Sequence, residues 1–183
     1  MTKHQTVKDK ESGAYEKMKS DFHYKNVMAV PKLKKVVFNV GTGTIMKKDK
    51  NKNTAIAERL AKITGQKAAT RGAKQSVASF KTRQGDPIGV VVTLRGNRMY
   101  AFLEKLVNVA LPRTKDFRGV NRTAVDSIGN MTIGIKEHTI FPETADEDIR
   151  DVFGMAITIV SSAKIKKEGT AFFELLGIPF KKE

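Results

Sequence analysis

Hydrophobic and polar residues alternate from Leu33 to Val40. Val36, Phe38 and Val40 fall on one side and Lys35, Val37 and Asn39 on the other, which predicts a strand buried on one face. Pro31 ends the short segment Asn26 to Val30 before it, and Gly41, Thr42 and Gly43 break the alternation after it. A lysine-rich stretch, Lys47 to Lys52, gives way to Ile56, Leu60 and Ile63 at helical spacing, so a helix is expected from Asn53 to Thr64 with Gly65 as its stop. Lys67 to Arg71 reads as extended. Ser76 to Arg83 and Ile88 to Arg95 read as two strands of a hairpin joined across Gly85, Asp86 and Pro87. If Phe80 pairs with Thr93, then Ala78, Phe80 and Thr82 share a face with Val91, Thr93 and Arg95, while Val90, Val92 and Leu94 turn into the core.

The most regular helical pattern follows, with Met99, Phe102, Leu103, Leu106, Val107 and Ala110 at steps of three and four until Pro112 ends it. A loop rich in Arg and Gly runs from Arg113 to Arg122. A short strand is expected around Met131 to Ile135, an acidic patch from Glu143 to Asp151, a strand from Met155 to Ser161, and a closing helix from Lys166 to Leu176 before Gly177. The first twenty residues carry only a thin apolar stripe, Tyr15 and Met18, and predict a short helical extension lying on the domain or fraying from it. Strands interleaved with helices and tight connections predict an α+β layer, a largely antiparallel sheet with helices on one face and the other face exposed. One domain over residues 1–183 is expected, with an N-terminal extension (1–20), a basic part (32–98) and a further region (113–151).

Charge changes this picture more than overall composition does. The chain has 34 Lys and Arg against 19 Asp and Glu, a formal charge of +15. Residues 1–31 hold six basic and four acidic residues, 32–98 sixteen and three, and 99–183 twelve and twelve. A solvated basic surface is the plainest reading of such a segment, but an excess confined to one third of the chain is better explained by a polyanion partner. No apolar run approaches membrane-spanning length, so a soluble protein with no membrane partner is expected. The absence of cysteine excludes disulfides and thiolate chemistry and fits the cytoplasm.

Little in the sequence suggests catalysis. His4, His23 and His138 lack the spacing of a metal site or a catalytic base, and the acidic patch lacks the glycine and terminal glutamate of a calcium loop. Gly41-Thr42-Gly43 follows a strand as phosphate loops do, without the further glycine or the Gly-Lys-Ser/Thr ending. No cofactor, metal or small-molecule substrate is expected. A binding surface is more legible: Asn39, Phe80, Thr93 and Arg95 on an exposed sheet face, flanked by Lys34, Lys47, Arg71, Lys74, Lys81 and Arg83. Cations neutralise phosphates, an exposed ring stacks on a base or ribose, and short polar groups bond 2′-hydroxyls and base edges, which together favour RNA. The competing assignment for Phe80 is ordinary core packing.

Several stretches carry a family resemblance. They are Asn26-Val-Met-Ala-Val-Pro31, Phe38-Asn39-Val40-Gly41-Thr42-Gly43, Thr64-Gly65-Gln66-Lys67, Lys74-Gln-Ser-Val-Ala-Ser-Phe80-Lys81, Arg83-Gln-Gly-Asp-Pro-Ile-Gly89, Val92-Thr-Leu-Arg-Gly96, Leu111-Pro-Arg113 through Asp116-Phe-Arg-Gly119, and Ile140-Phe-Pro-Glu143. In this order, over about residues 15–182, the chain resembles the bacterial type of the family of large-subunit ribosomal proteins numbered five. The resemblance implies a non-enzymatic constituent of the large ribosomal subunit that binds 5S ribosomal RNA and anchors it in the central protuberance. Further partners implied are 23S ribosomal RNA, neighbouring large-subunit proteins, the P-site tRNA and the small-subunit head protein numbered thirteen. The family's RNA-contacting residues fall on Asn39, Gln66, Phe80 and Thr93. Its tRNA-facing loop falls on Arg83 to Gly89, with Arg83, Gln84, Gly85, Asp86 and Pro87 at the tip. Asp86 departs from the many bacterial members with an aromatic residue or methionine there, and a carboxylate would repel tRNA phosphates. The bridge to the small subunit is expected beyond Pro112, at Arg113, Lys115, Arg118 and Arg122 and the acidic patch.

Two other functions compete with this one. A chromatin-type nucleic-acid binder explains the basic third but not polar and aromatic groups gathered on one face. An RNA-processing enzyme would need an acid, base or metal constellation that the sequence does not supply.

Overall fold

Alternation in the sequence becomes one-sided burial in the structure. A computed structural model of the protein describes residues 5–43, 52–115, 117–145 and 152–181. Strand β1 (Leu33–Gly41) buries Val36, Phe38 and Val40 completely and leaves Asn39 exposed. In β3 (Pro87–Leu94), Val90, Val92 and Leu94 are buried as expected, while Val91 and Thr93 are half-buried. With β2 (Ala69–Gly72), β4 (Met131–Ile135) and β5 (Met155–Ser161) these form a five-stranded antiparallel sheet in the order β2-β3-β1-β5-β4. Together with its helices the sheet makes an α+β fold, as the interleaved pattern predicts.

Contacts divide the chain into two compact units, and the division falls within β1, β4 and β5. One unit holds Val37–Leu94 and Gly134–Ile157. In it α3 (Lys52–Thr64) packs on β3 and β2 and buries Ile56, Leu60 and Ile63, the stripe read from the sequence. Gly65 then reverses the chain with a φ of +66°, the left-handed conformation that a residue lacking Cβ adopts at no steric cost. His138 is fully buried in the same unit, its ring stacked 4.2 Å from that of Phe153, whose N–H donates to His138 Nδ1.

The other unit holds Met1–Val36, Arg95–Ile133 and Thr158–Glu183. Among the described residues the expected N-terminal extension forms two helices, α1 (Val7–Ser12) and α2 (Ala14–Phe22). Both pack on α5 (Lys166–Leu176), and α1 also packs on α4 (Gly96–Lys105). Met18 is buried, as its place on the apolar stripe suggests. Glu11 accepts hydrogen bonds from the Tyr100 hydroxyl (2.6 Å) and the Leu33 N–H (3.0 Å), and Glu168 accepts one from the Tyr24 hydroxyl. Burial, and next the hydrogen bond to Glu11, push the Tyr100 phenol up to about 12; burial followed by the Glu168 bond raises Tyr24 further. After Lys105 the helical path continues as a wider π turn, Leu106–Ala110, before Pro112.

The expected hairpin is corrected. Ser76 to Arg83 is not a strand. The partner of β3 is β2, paired antiparallel with Ala69 opposite Val91, Thr70 opposite Val90 and Arg71 opposite Gly89. All four β2 residues are exposed, so this strand has no buried-face alternation to reveal it. The segment from Ala73 to Asp86 is instead the hairpin's long connection. Within it Val77 and Thr82 pair with each other around a short 3-10 turn, Ala78–Phe80, closed by Lys81 in the left-handed conformation at φ 50°.

Candidate nucleic-acid interface

Asn39 on β1 and Thr93 on β3 occupy the face that their buried neighbours leave open, and the two strands are adjacent in the sheet. Gln66 reaches the same strand by a different route. The chain reversal at Gly65 follows α3, and the Gln66 side-chain amide donates to the Thr93 carbonyl at 3.2 Å. Thr64 steadies the reversal, its hydroxyl donating to Leu60 O at 2.6 Å and accepting from the Gln66 N–H at 3.4 Å. Gln66 and Thr93 are thus joined directly, and Asn39 stands on the neighbouring strand. Each offers a polar group and none a charge, which suits recognition of hydroxyls and base edges rather than phosphate attraction.

Phe80 does not join them on the sheet face. It belongs to the connection between β2 and β3, outside any strand, and cannot pair with Thr93. Core packing fails as well, because the ring is 66% exposed. Phe80 and Val77 overhang a largely apolar groove of about 600 Å³, lined also by Gly43, Ala73, Lys74, Gln75, Thr82 and Ile88. Sequence reading missed this groove because Ser76 to Arg83 reads as a strand, in which Val77 and Phe80, three residues apart, would face opposite ways.

The neck of this connection is tightly bonded. Ala73 N–H donates to Asp86 O (2.8 Å), and Gly85 N–H donates to Ala73 O (3.0 Å). Arg83 to Asp86 is a turn closed by Asp86 N–H to Arg83 O (3.1 Å), with Gly85 at φ +90°, as the third residue of a type II turn requires. The Asp86 carboxylate accepts the Arg83 N–H at 2.7 Å. The Asp86 carboxylate therefore turns back into its own loop. Gln84 is held by its N–H donating to Ser76 Oγ at 2.9 Å.

Arg71, Lys74, Lys81 and Arg83 are exposed in this same unit. Lys34 and Arg95 are exposed too, but belong to the other unit. Lys47 lies outside the described residues. Of the residues assigned to a bridge, Arg113, Lys115 and Arg118 are exposed, whereas Arg122 is bound within the chain: its guanidinium lies 2.8 Å from Glu174 and over the Phe180 ring. Glu143 is exposed, and the acidic patch from Asp146 to Asp151 lies outside the described residues. Among the described residues no cluster of His, Asp and Glu could hold a metal ion, and no helix is long and apolar enough to cross a membrane.

Comparison with known proteins finds relatives over nearly the whole chain. Residues 26–83 match the family model described as ribosomal protein L5, and residues 87–180 match the model for the C-terminus of the same ribosomal family. The chain belongs to the ribosomal protein L5 family. It is 52% identical over 166 residues to the large ribosomal subunit protein uL5 of Pelobacter propionicus, covering 91% of this chain and 92% of the relative. The uL5 proteins of Trichlorobacter lovleyi (50% over 166 residues, 91% and 92% covered) and Lawsonia intracellularis (50% over 165 residues, 90% and 92% covered) are similarly close. L5 proteins are structural and non-enzymatic, and they act on the ribosome in the cytoplasm. The boundary between the two family models, after Arg83, falls inside the turn at the neck of the hairpin connection.

Proposed function

We propose that this L5 protein is a structural constituent of the large ribosomal subunit that binds 5S ribosomal RNA and anchors it in the central protuberance. Asn39, Gln66 and Thr93 read the RNA's surface, Phe80 stacks on a base or ribose from the hairpin connection, and Arg71, Lys74 and Lys81 neutralise phosphates. Lys34, Arg95 and Lys47 add to the cationic set. The observation that carries this reading is the Gln66 amide fixed on the Thr93 carbonyl beside the open strand residue Asn39, an uncharged polar group preorganised on two strands and a helix end.

The turn at Arg83, Gln84, Gly85 and Pro87 approaches the P-site tRNA. Asp86 does not defeat that contact, because its carboxylate is engaged by the Arg83 N–H. Arg113, Lys115 and Arg118 meet the small-subunit head protein numbered thirteen, while Arg122 serves the fold. Contacts to 23S RNA and neighbouring large-subunit proteins complete the setting.

The test is 5S RNA binding by the full chain in a gel assay. Asn39→Ala, Phe80→Ala and Thr93→Ala should each weaken binding while leaving the circular dichroism spectrum unchanged. Binding that is unaffected removes the residue concerned from the interface. Equal affinity for duplex DNA of matched length would instead support a general nucleic-acid binder. With on the order of six phosphates neutralised, affinity should fall by several orders of magnitude between 50 and 200 mM salt, as roughly 10³-fold or more is usual for such a contact.

A further inference from the structure

The unit built on α1, α2, α4 and α5 contains a surface of which only Lys32 falls in the basic part read from the sequence, and to which the family resemblance assigns no role. Three segments of chain meet there. Lys32 and Ser162 are joined by two hydrogen bonds, Ser162 N–H to Lys32 O at 2.9 Å and Lys32 N–H to Ser162 Oγ at 2.8 Å. Lys32 Nζ also lies 3.5 Å from Met28 Sδ. Gly129 packs so closely on the segment after Ser162 that a Cβ there would fall 2.6 Å from Ala163 Cβ and 3.3 Å from Ile165 O. Met28 (75% exposed), Ile128 (58%) and Ile165 (52%) are therefore gathered in one region with their apolar side chains in solvent.

The charge exposed on these segments is mainly basic. Lys25, Lys32, Lys164, Lys166 and Lys167 are all exposed, and among the described residues none of them forms an ion pair. The same segments carry two carboxylates, and both are occupied by their own chain. Glu168, 8% exposed, accepts from the Tyr24 hydroxyl and, at 2.8 Å, from the Lys164 N–H. Asp126 accepts from the N–H groups of Ile128 (3.1 Å) and Asn130 (2.7 Å) and from the Asn130 amide (3.1 Å). Lys166 and Lys167 also stand in the first turn of α5, where the helix dipole presents its positive end, and Ile165 before them supplies no side-chain cap. Glu168 is the acid of that turn, and with its carboxylate bonded to the Tyr24 hydroxyl and the Lys164 N–H it leaves the two exposed ammonium groups beside it open to an external anion.

We propose that this surface is a second RNA contact, made by residues other than Asn39, Gln66, Phe80 and Thr93. Phosphates sit on Lys164, Lys166, Lys167, Lys25 and Lys32, and ribose or base faces rest on Met28 and Ile165. A protein partner fits less well, because lysine is depleted where protein meets protein and enriched where protein meets nucleic acid. This second contact does not rest on the sheet-face reading above, and either can fail alone.

Lysine acylation read by mass spectrometry, on the free chain and on intact large subunits, tests the proposal directly. The five lysines should be protected in the subunit and recover when its RNA is digested with nuclease. Reactivity equal to that of the free chain, or protection that survives nuclease, would overturn the proposal, the latter by pointing to a protein. A second measurement uses the full chain with purified large-subunit RNA. The variant Lys164→Ala/Lys166→Ala/Lys167→Ala changes only exposed side chains, and it should reduce the slope of log affinity against log salt by roughly 2 to 3. An unchanged slope would count against the surface. Asn39→Ala, which removes no charge, should leave the slope as it is while weakening 5S binding, so failures of the two readings are distinguishable.

Discussion

In the unit of Val37–Leu94 the exposed cations Arg71, Lys74, Lys81 and Arg83 stand on an edge strand and a hairpin connection, while the polar residues Asn39, Gln66 and Thr93 are set on the sheet. In the unit of α1, α2, α4 and α5 the carboxylates of Glu11, Asp126, Glu168 and Glu174 are engaged by hydroxyls, backbone N–H groups or an arginine, while Lys25, Lys32, Lys164, Lys166 and Lys167 stand exposed. The first unit declares its basic character in its composition. The second is more basic still, with 21 Lys and Arg against 10 Asp and Glu in Met1–Val36, Arg95–Ile133 and Thr158–Glu183, yet no single stretch of it announces this. The first carries its excess in one continuous stretch, where a running count along the chain finds it, whereas the second assembles its own from three separated stretches, so charge read along a sequence understates what the fold gathers.

The sharpest way to break this comparison is to mutate two neighbours of β1 that face opposite ways. Phe38→Ala removes a fully buried ring and should cost about 3–5 kcal/mol of stability. Asn39→Ala should stay within about 0.5 kcal/mol in the same denaturant titration, since it is exposed and has no packing to lose. Comparable losses would mean that the open face is part of the core.

Next in size is Gly169→Ala on α5. Its new Cβ would lie 2.6 Å from Gly129 Cα and 2.8 Å from Gly129 O, backbone atoms that cannot swing away. A loss of about 1–3 kcal/mol is expected in thermal unfolding. The same change at Gly72, where Cβ would meet Gly85 O at 2.9 Å, should disturb the neck of the hairpin connection and leave the melting of the rest largely unchanged.

These positions show how much of the molecule is legible in its sequence. Val36, Phe38 and Val40, and Ile56, Leu60 and Ile63, declare their elements through period, because each element buries one side. β2 does not, since an edge strand with every residue exposed has no buried side to mark it. Ser76 to Arg83 imitates the missing strand because Val77, Phe80 and Thr82 are β-formers held in a turn by the Val77–Thr82 pair and by Lys81 in a conformation that sequence rarely announces. Of the site, Asn39 and Thr93 follow from parity. Gln66 comes from resemblance alone, as its role depends on the reversal at Gly65 that carries it to Thr93.

A smaller effect separates the units by pH. The Tyr100 phenol is held protonated up to about 12, by burial first and the bond to Glu11 second, against an ordinary value of 10.0. A raised value means that the folded state favours the proton. Its contribution is complete below pH 10 and is lost as pH rises towards 12. Stability should decline over that window and decline less in Tyr100→Phe, with the Tyr24–Glu168 pair, raised in the same direction, supplying the remainder. Smallest is Lys81→Gly, which relieves a left-handed lysine. A gain of roughly 0.5–1 kcal/mol in stability should accompany weaker RNA binding, because the residue that strains the turn also brings a cation to it.

The most direct measurement is photo-crosslinking of this protein within purified large subunits, with the crosslinked RNA sequenced and the attached residues mapped. Crosslinks from 5S RNA to Phe80 and Gln66 are expected, with the protein and 5S RNA recovered in equal amounts. Crosslinks confined to other RNA, or their absence from both residues while 5S RNA attaches elsewhere on the chain, would contradict the account.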